Sequence, residues 1–242
     1  MLAVFLKDVR SFFSGLLGFL ILGVFLLISS LFLWVIPGQF NILDQGFAEM
    51  SSFFLFAPWI YLLLIPAVAM KSLAEERKSG TLELLLIRPI SLPQLVLGKW
   101  LGILSIGFIA FLPTLFYLLG LGDLGLEKNN YDSGIVWGGY TGLLFLLCSY
   151  SAIALYCSSL NQNQVVALLL AALGCLLFYS GWGALASWVG SGRFAENLEW
   201  LGAKTHYQQM ARGVIDLRDL LFFVFVTLFF LTLTYLRLKH DR

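Results

Sequence analysis

Charge is scarce in this sequence. Only 12% of its 242 residues are Asp, Glu, Lys or Arg, while 60% are hydrophobic and the mean hydropathy is +0.88. A soluble domain carries about 25% charged and about 45–50% apolar residues, so no soluble fold of this length hides so much apolar surface. The near-zero net charge, +1, gives no electrostatic case for a nucleic-acid partner. Cysteine is rare too: Cys148, Cys157 and Cys175 all sit in apolar runs. An odd count without ligand spacing argues against a disulfide framework or a metal site, and they read as small core residues. The two histidines, His206 and His240, are far apart and expected on opposite sides of a membrane, so no metal ligand and no His-based catalytic device is assigned.

Several chemical motifs are missing as well. There is no G-x-x-x-x-G-K-[ST] phosphate loop, since Gly98-Lys99 is followed by Trp100 and lacks the upstream glycine. H-E-x-x-H and G-x-S-x-G are absent. No catalytic residue is therefore named. Ionisable groups are also missing from the interior of the long apolar runs; Asp123 and Lys99 fall at run ends, where solvation is expected. Ion-coupled carriers usually need such groups at membrane depth, so the energy source is expected outside this chain.

What is present is a set of runs long enough to cross a bilayer. About 20 apolar residues span about 30 Å of hydrocarbon, and such runs must be helical to satisfy their own backbone. Six are expected, at about 12–36, 50–70, 100–122, 137–158, 165–189 and 220–236, the fourth and fifth divided by the polar stretch Ser158 to Gln164. The leading residues, with Phe5 among apolar neighbours and Lys7, Asp8 and Arg10 behind them, read as a short amphipathic helix rather than a secretory signal. The fold class is thus all-α, one transmembrane domain over residues 1–242. Placing both termini in the cytoplasm puts ten of the fifteen Lys and Arg inside, the sense of the positive-inside rule.

Local signals refine the picture. Ser91-x-x-Gln94 with Pro93 reads as a capping box opening the third long helix. Gly98-x-x-x-Gly102 and Gly138-x-x-x-Gly142 permit close helix approach, first within the bundle and second at a dimer face. Pro58, Pro66 and Pro113 read as packing bends. Asp216 and Asp219 suit a helix N-terminus just before the last span.

The cytoplasmic loop 71–99 carries the densest charge. Glu75-Glu76-Arg77-Lys78 leads into Ser79-Gly80, and Thr81 is placed to cap a short helix with Glu83 in its first turn. Leu82 and Leu84 to Ile87 make that helix apolar almost all round until Arg88-Pro89 ends it. On residues alone, it either lies against the bilayer or docks into a cytoplasmic partner.

The run Glu76-Arg77-Lys78-Ser79-Gly80-Thr81-Leu82-Glu83-Leu84-Leu85, followed by Arg88-Pro89-Ile90-Ser91 and Gly98-Lys99, resembles the loop signature of type-2 ABC transporter permeases. Ala57-Pro58-Trp59, Leu64-Ile65-Pro66-Ala67 with Met70, and Gly213 to Asp219 are similar to the gliding-motility-associated branch, with Ile87 where that branch has Thr. The resemblance implies an exporter permease in a bacterial inner membrane, working as a pair of protomers with a separate ABC ATPase. ATP and Mg would be held by that partner, this chain binding no cofactor itself; an auxiliary membrane or periplasmic subunit belongs to such systems. It also implies that Glu75, Glu76, Arg77, Gly80, Thr81, Glu83, Leu84 and Arg88 couple to the ATPase. The Met1–Ser11 helix, with Phe5, Lys7 and Arg10, becomes an interface helix on the same partner, and residues 190–218 become short external helices. Two other readings stay open: a non-transporting scaffold of cell-envelope machinery, and a secondary carrier.

Overall fold

The computed structural model describes residues 1–45, 49–83, 91–124, 132–190 and 192–240. Among them the regular structure is helical throughout, with no strand. Helix α1, Leu2–Phe13, is amphipathic and leads into α2, Leu16–Trp34. The two form a pair bent by 71°. The break falls at Ser14-Gly15, later than the expected boundary at residue 12, because Gly15 is extended (φ −111°, ψ 153°) at the N-cap of α2.

Helix α3, Ser51–Ala69, runs through Pro58 and Pro66 without interruption. After a short turn comes α4, Ala74–Lys78. Helix α5, Leu92–Phe111, starts at Ser91, whose backbone occupies the N-cap but whose hydroxyl makes no capping bond. The capping box is therefore not formed. Pro113 sits in a 3-10 turn, Leu112–Leu115, that joins α5 to α6, Phe116–Leu124. There the Thr114 hydroxyl donates to Phe111 O at 2.7 Å, and Tyr140 Oη donates to Thr114 O at 3.1 Å. These bonds tie the bend to its own preceding turn and to Tyr140.

Helix α7, Ser133–Leu160, is capped by Asp132, which accepts from the Gly134 amide at 2.7 Å. Helix α8, Gln164–Leu176, is capped by the Asn163 side chain. The polar stretch between them is thus a turn that closes one helix and opens the next. A π-helical turn, Leu177–Gly181, carries α8 into α9, Trp182–Val189. Two short helices follow, α10 (Arg193–Trp200) and α11 (Ala203–Ala211), then the last long helix α12, Leu217–His240.

Five helical runs are long and apolar enough to cross a bilayer, and the bent α1–α2 pair makes a sixth candidate. Helices α3 and α7 form the buried centre, while α8–α9 and α12 leave most of their surface outward. Phe53, Phe54, Phe111 and Tyr140 interlock in the core through ring contacts of 4.9–5.9 Å. The chain's alternating traverses place α1, α4, the 161–163 turn and the C-terminal end of α12 at one end of the bundle. Helices α10 and α11 lie at the other.

Both small-residue patterns are spent inside the bundle. A Cβ on Gly98 would lie 3.0 Å from Met1 O and one on Gly102 3.2 Å from Asp8 Cβ, so this pair is the seat of α1. A Cβ on Gly138 would meet Met210 O at 2.4 Å, and one on Gly142 would meet Met210 Cβ at 3.0 Å, so that pair seats α11.

Candidate functional site

The site at the α1 end begins with Lys99. Sequence position suggested a solvated run end, but Lys99 is only 1% exposed. The correction has a simple cause: α5 starts at Leu92, so Lys99 lies two turns inside the helix, on the face covered by α1. A buried ammonium is costly unless paired and hydrogen-bonded. Lys99 Nζ reaches the Asp8 carboxylate of α1 at 3.1 Å, Glu76 Oε1 of α4 at 2.8 Å and the Ser72 carbonyl at 2.9 Å. Glu76 Oε1 also accepts from Lys7 Nζ at 2.6 Å. Two cations and two carboxylates balance in one cluster. Burial pushes the Asp8 carboxyl above its ordinary range; Lys99 opposes that rise and the nearby Glu76 charge adds to it.

Helix α4 is held from a second direction. It has no side-chain cap of its own. Instead the buried Ser158 hydroxyl, on α7, accepts the amides of Leu73 and Ala74 at 3.2 and 3.1 Å. Beyond α4 the chain turns at Gly80, whose φ of +70° is a left-handed conformation that suits glycine.

The residues singled out from the sequence distribute as follows. Glu75 is exposed, Glu76 is buried in the ion cluster, and Arg77 is half-buried. The Thr81 hydroxyl pairs with Ser79 Oγ at 2.9 Å, Leu82 is buried and Glu83 is exposed. Leu84 and Arg88 lie outside the described residues, with the rest of 84–90, and so do Lys128 and Arg242. Phe5 lies half-buried against Leu101 and Leu104 of α5. Lys7 joins the cluster, whereas Arg10 is exposed in the last turn of α1. Lys7, Asp8, Ser72, Glu75, Glu76 and Lys99 line one polar cleft of about 340 Å³. Asp8 and Lys99 were not among the expected site residues. The available signal was Lys99 standing between the glycines of a close-approach pattern, with Asp8 one turn after the buried Val4.

The family comparison gives this arrangement its context. The model described as ABC-2 family transporter protein matches residues 3–241. This chain belongs to that family. A comparison with curated proteins finds no match. As an ABC-2 permease, the chain is a multi-pass membrane subunit of the transporter, and its all-helical bundle is the transmembrane part.

The permease carries a second buried polar cluster at the opposite end. His206 Nδ1 lies 2.6 Å from Asp219 Oδ1, and His206 Nε2 lies 2.8 Å from the Trp200 carbonyl. The imidazole stacks on the Phe222 ring at 4.1 Å. Three elements, α10, α11 and α12, meet on this ring. Phe222 is in turn stacked with Phe178 of the π turn at 6.0 Å. Both rings line an apolar groove of about 820 Å³ together with Trp182, Trp188 and Phe225.

Proposed function

We propose that this ABC-2 permease is the transmembrane half of an exporter, moved by a separate ABC ATPase that docks at the α1 end of the bundle. The observation that carries the reading is the joining of α1 and α4 at Lys99, Lys7 and Glu76. Two short elements, the amphipathic α1 and the polar α4, are seated firmly at one end of an otherwise apolar bundle. That is what a surface receiving force from a soluble motor requires.

In this reading both termini are cytoplasmic, the membrane is the bacterial inner membrane, and two protomers enclose the substrate path. ATP and Mg sit in the ATPase. Its closure pushes on Glu75, Glu76, Arg77, Gly80, Thr81 and Glu83, and on Leu84 and Arg88 further along the loop. The same motion reaches α1 through Phe5, Lys7 and Arg10. Similarity of Ala57-Pro58-Trp59, Leu64 to Ala67 with Met70, and Gly213 to Asp219 to the gliding-motility-associated branch supports an export role and an auxiliary envelope subunit.

The test is co-purification in mild detergent with a candidate ABC ATPase, comparing wild type with Glu83→Lys, an exposed position that leaves the ion cluster intact. A complex weakened by Glu83→Lys supports docking at this end. A chain that purifies without an ATPase and shows no ATP-dependent conformational change is the scaffold or carrier instead.

A further inference from the structure

We propose that Lys99 is a positioning residue: it locks α1 and α4 to α5, so that the two elements present one rigid face. The proposal rests on the reading that this face meets the ATPase, and it names the residue that sets the face's geometry.

Neither element is fixed in register by its chain connections alone. Helix α1 is joined to α2 across the 71° bend at Ser14-Gly15. Helix α4 follows α3 after a turn of a few residues and is five residues long, too short to be stable by itself. An ammonium group has three donors and no acceptor. At Lys99 these donors meet three separate elements: Asp8 on α1, Glu76 on α4, and the Ser72 carbonyl in the turn between α3 and α4. None is left for solvent, and at 1% exposure none reaches it.

The helix that bears Lys99 is shaped for the same contact. Gly98 and Gly102 flank the lysine on one face, and their missing side chains let α1 approach to backbone contact. The ammonium is therefore delivered where α1 lies close against α5. Lys7 closes the loop by reaching Glu76 directly, so α1 and α4 are bonded to each other as well as to Lys99. Without the lysine, the Asp8 and Glu76 carboxylates would share a buried space with only Lys7 to offset them. Like charges drive the two elements apart there.

The test uses spin labels at two exposed positions, Arg10→Cys on α1 and Lys78→Cys on α4, with Cys148, Cys157 and Cys175 replaced. The full-length chain in detergent is expected to give one narrow distance distribution, which broadens in Lys99→Met. Because that variant leaves buried carboxylates unpaired, Lys99→Met is also made together with Asp8→Asn and Glu76→Gln. The triple variant removes the buried charges of this cluster, keeps the side-chain shapes and is again expected to be broad. A distribution that stays narrow in both overturns the lock. In the complex with the ATPase, the broadened variants are expected to bind about tenfold more weakly, since a loosened face must be ordered on binding. Broad distances with unchanged ATPase affinity overturn the positioning role. If the wild type binds no ATPase, the docking reading falls, while the spin-label distances still judge the lock.

Discussion

His206 and Asp219 are joined by a 2.6 Å contact between two side chains that are 7% and 1% exposed. A carbonyl oxygen only accepts, so the 2.8 Å contact to Trp200 O places a proton on His206 Nε2. The remaining contact, Nδ1 to the carboxyl, then fixes the start of α12 to α11. Removing the carboxyl leaves a buried ring nitrogen without a partner. Asp219→Ala is therefore expected to destabilise the permease by about 3 kcal/mol, in the range for breaking a buried pair. Asp219→Asn keeps a group that can donate to Nδ1 and should cost about 1 kcal/mol. Thermal unfolding in detergent separates the two variants; equal losses would mean that burial alone, not the bond, sets the effect.

Asp8 makes the stability of the α1 end depend on pH. Burial raises its carboxyl above the ordinary value, so the folded chain binds this proton more tightly than the unfolded chain does. Between the two values the native state holds the extra proton, and stability falls as pH rises through that window. Above the window the loss is constant; below the ordinary carboxylate value it vanishes. Asp8→Asn removes the titration. The difference in unfolding temperature between wild type and Asp8→Asn is expected to change as pH rises above the ordinary carboxylate value of about 4. A difference that does not change with pH would assign the slope to other carboxylates.

Much of this fold is legible in the chain. The apolar runs read as helical crossings because a helix satisfies its own backbone in lipid. Five are long enough, the bent α1–α2 pair is a sixth candidate, and Pro113 and the 158–164 stretch mark real turns. Helix α1 is legible from its mixed polar and apolar residues. The ion cluster is not, because Asp8, Glu76 and Lys99 are separated by 68 and 23 positions in the sequence and meet only through packing. The same holds for His206, whose partners Trp200 and Asp219 belong to different helices. Charge placement along a membrane chain tells where solvent is expected, not which ends are covered by another helix. Lys99 looked solvated for that reason.

The glycines divide by what faces them. A Cβ on Gly138 would stand 2.4 Å from Met210 O and 2.8 Å from Gly213 Cα, both backbone atoms that cannot turn aside. Gly138→Ala is expected to cost about 2 kcal/mol, the scale of an overpacked core. Gly23 and Gly183, also helical, have open space at the same position, and alanine there should be neutral or stabilising by up to about 1 kcal/mol. Unfolding temperatures of the three variants check the order. If Gly138→Ala matches Gly23→Ala, α11 is not seated on α7 as described.

Ser158 offers a last test, because its role is local and its partner is not. The hydroxyl sits near the end of α7 yet receives the first two amides of α4, 84 and 85 positions away in sequence. Helix α4 has no other side-chain cap at its start, and the loss of a hydroxyl cap costs about 1 kcal/mol. Ser158→Ala should therefore leave the bundle intact and loosen residues 73–78 alone. Hydrogen exchange is the direct readout, with the Leu73 and Ala74 amides expected to lose protection about fivefold, the factor for about 1 kcal/mol. Ser158→Thr keeps the hydroxyl and should restore it. Protection unchanged in Ser158→Ala would mean that the Lys99 cluster holds α4 without help from α7, and that α4 is anchored at one point instead of two.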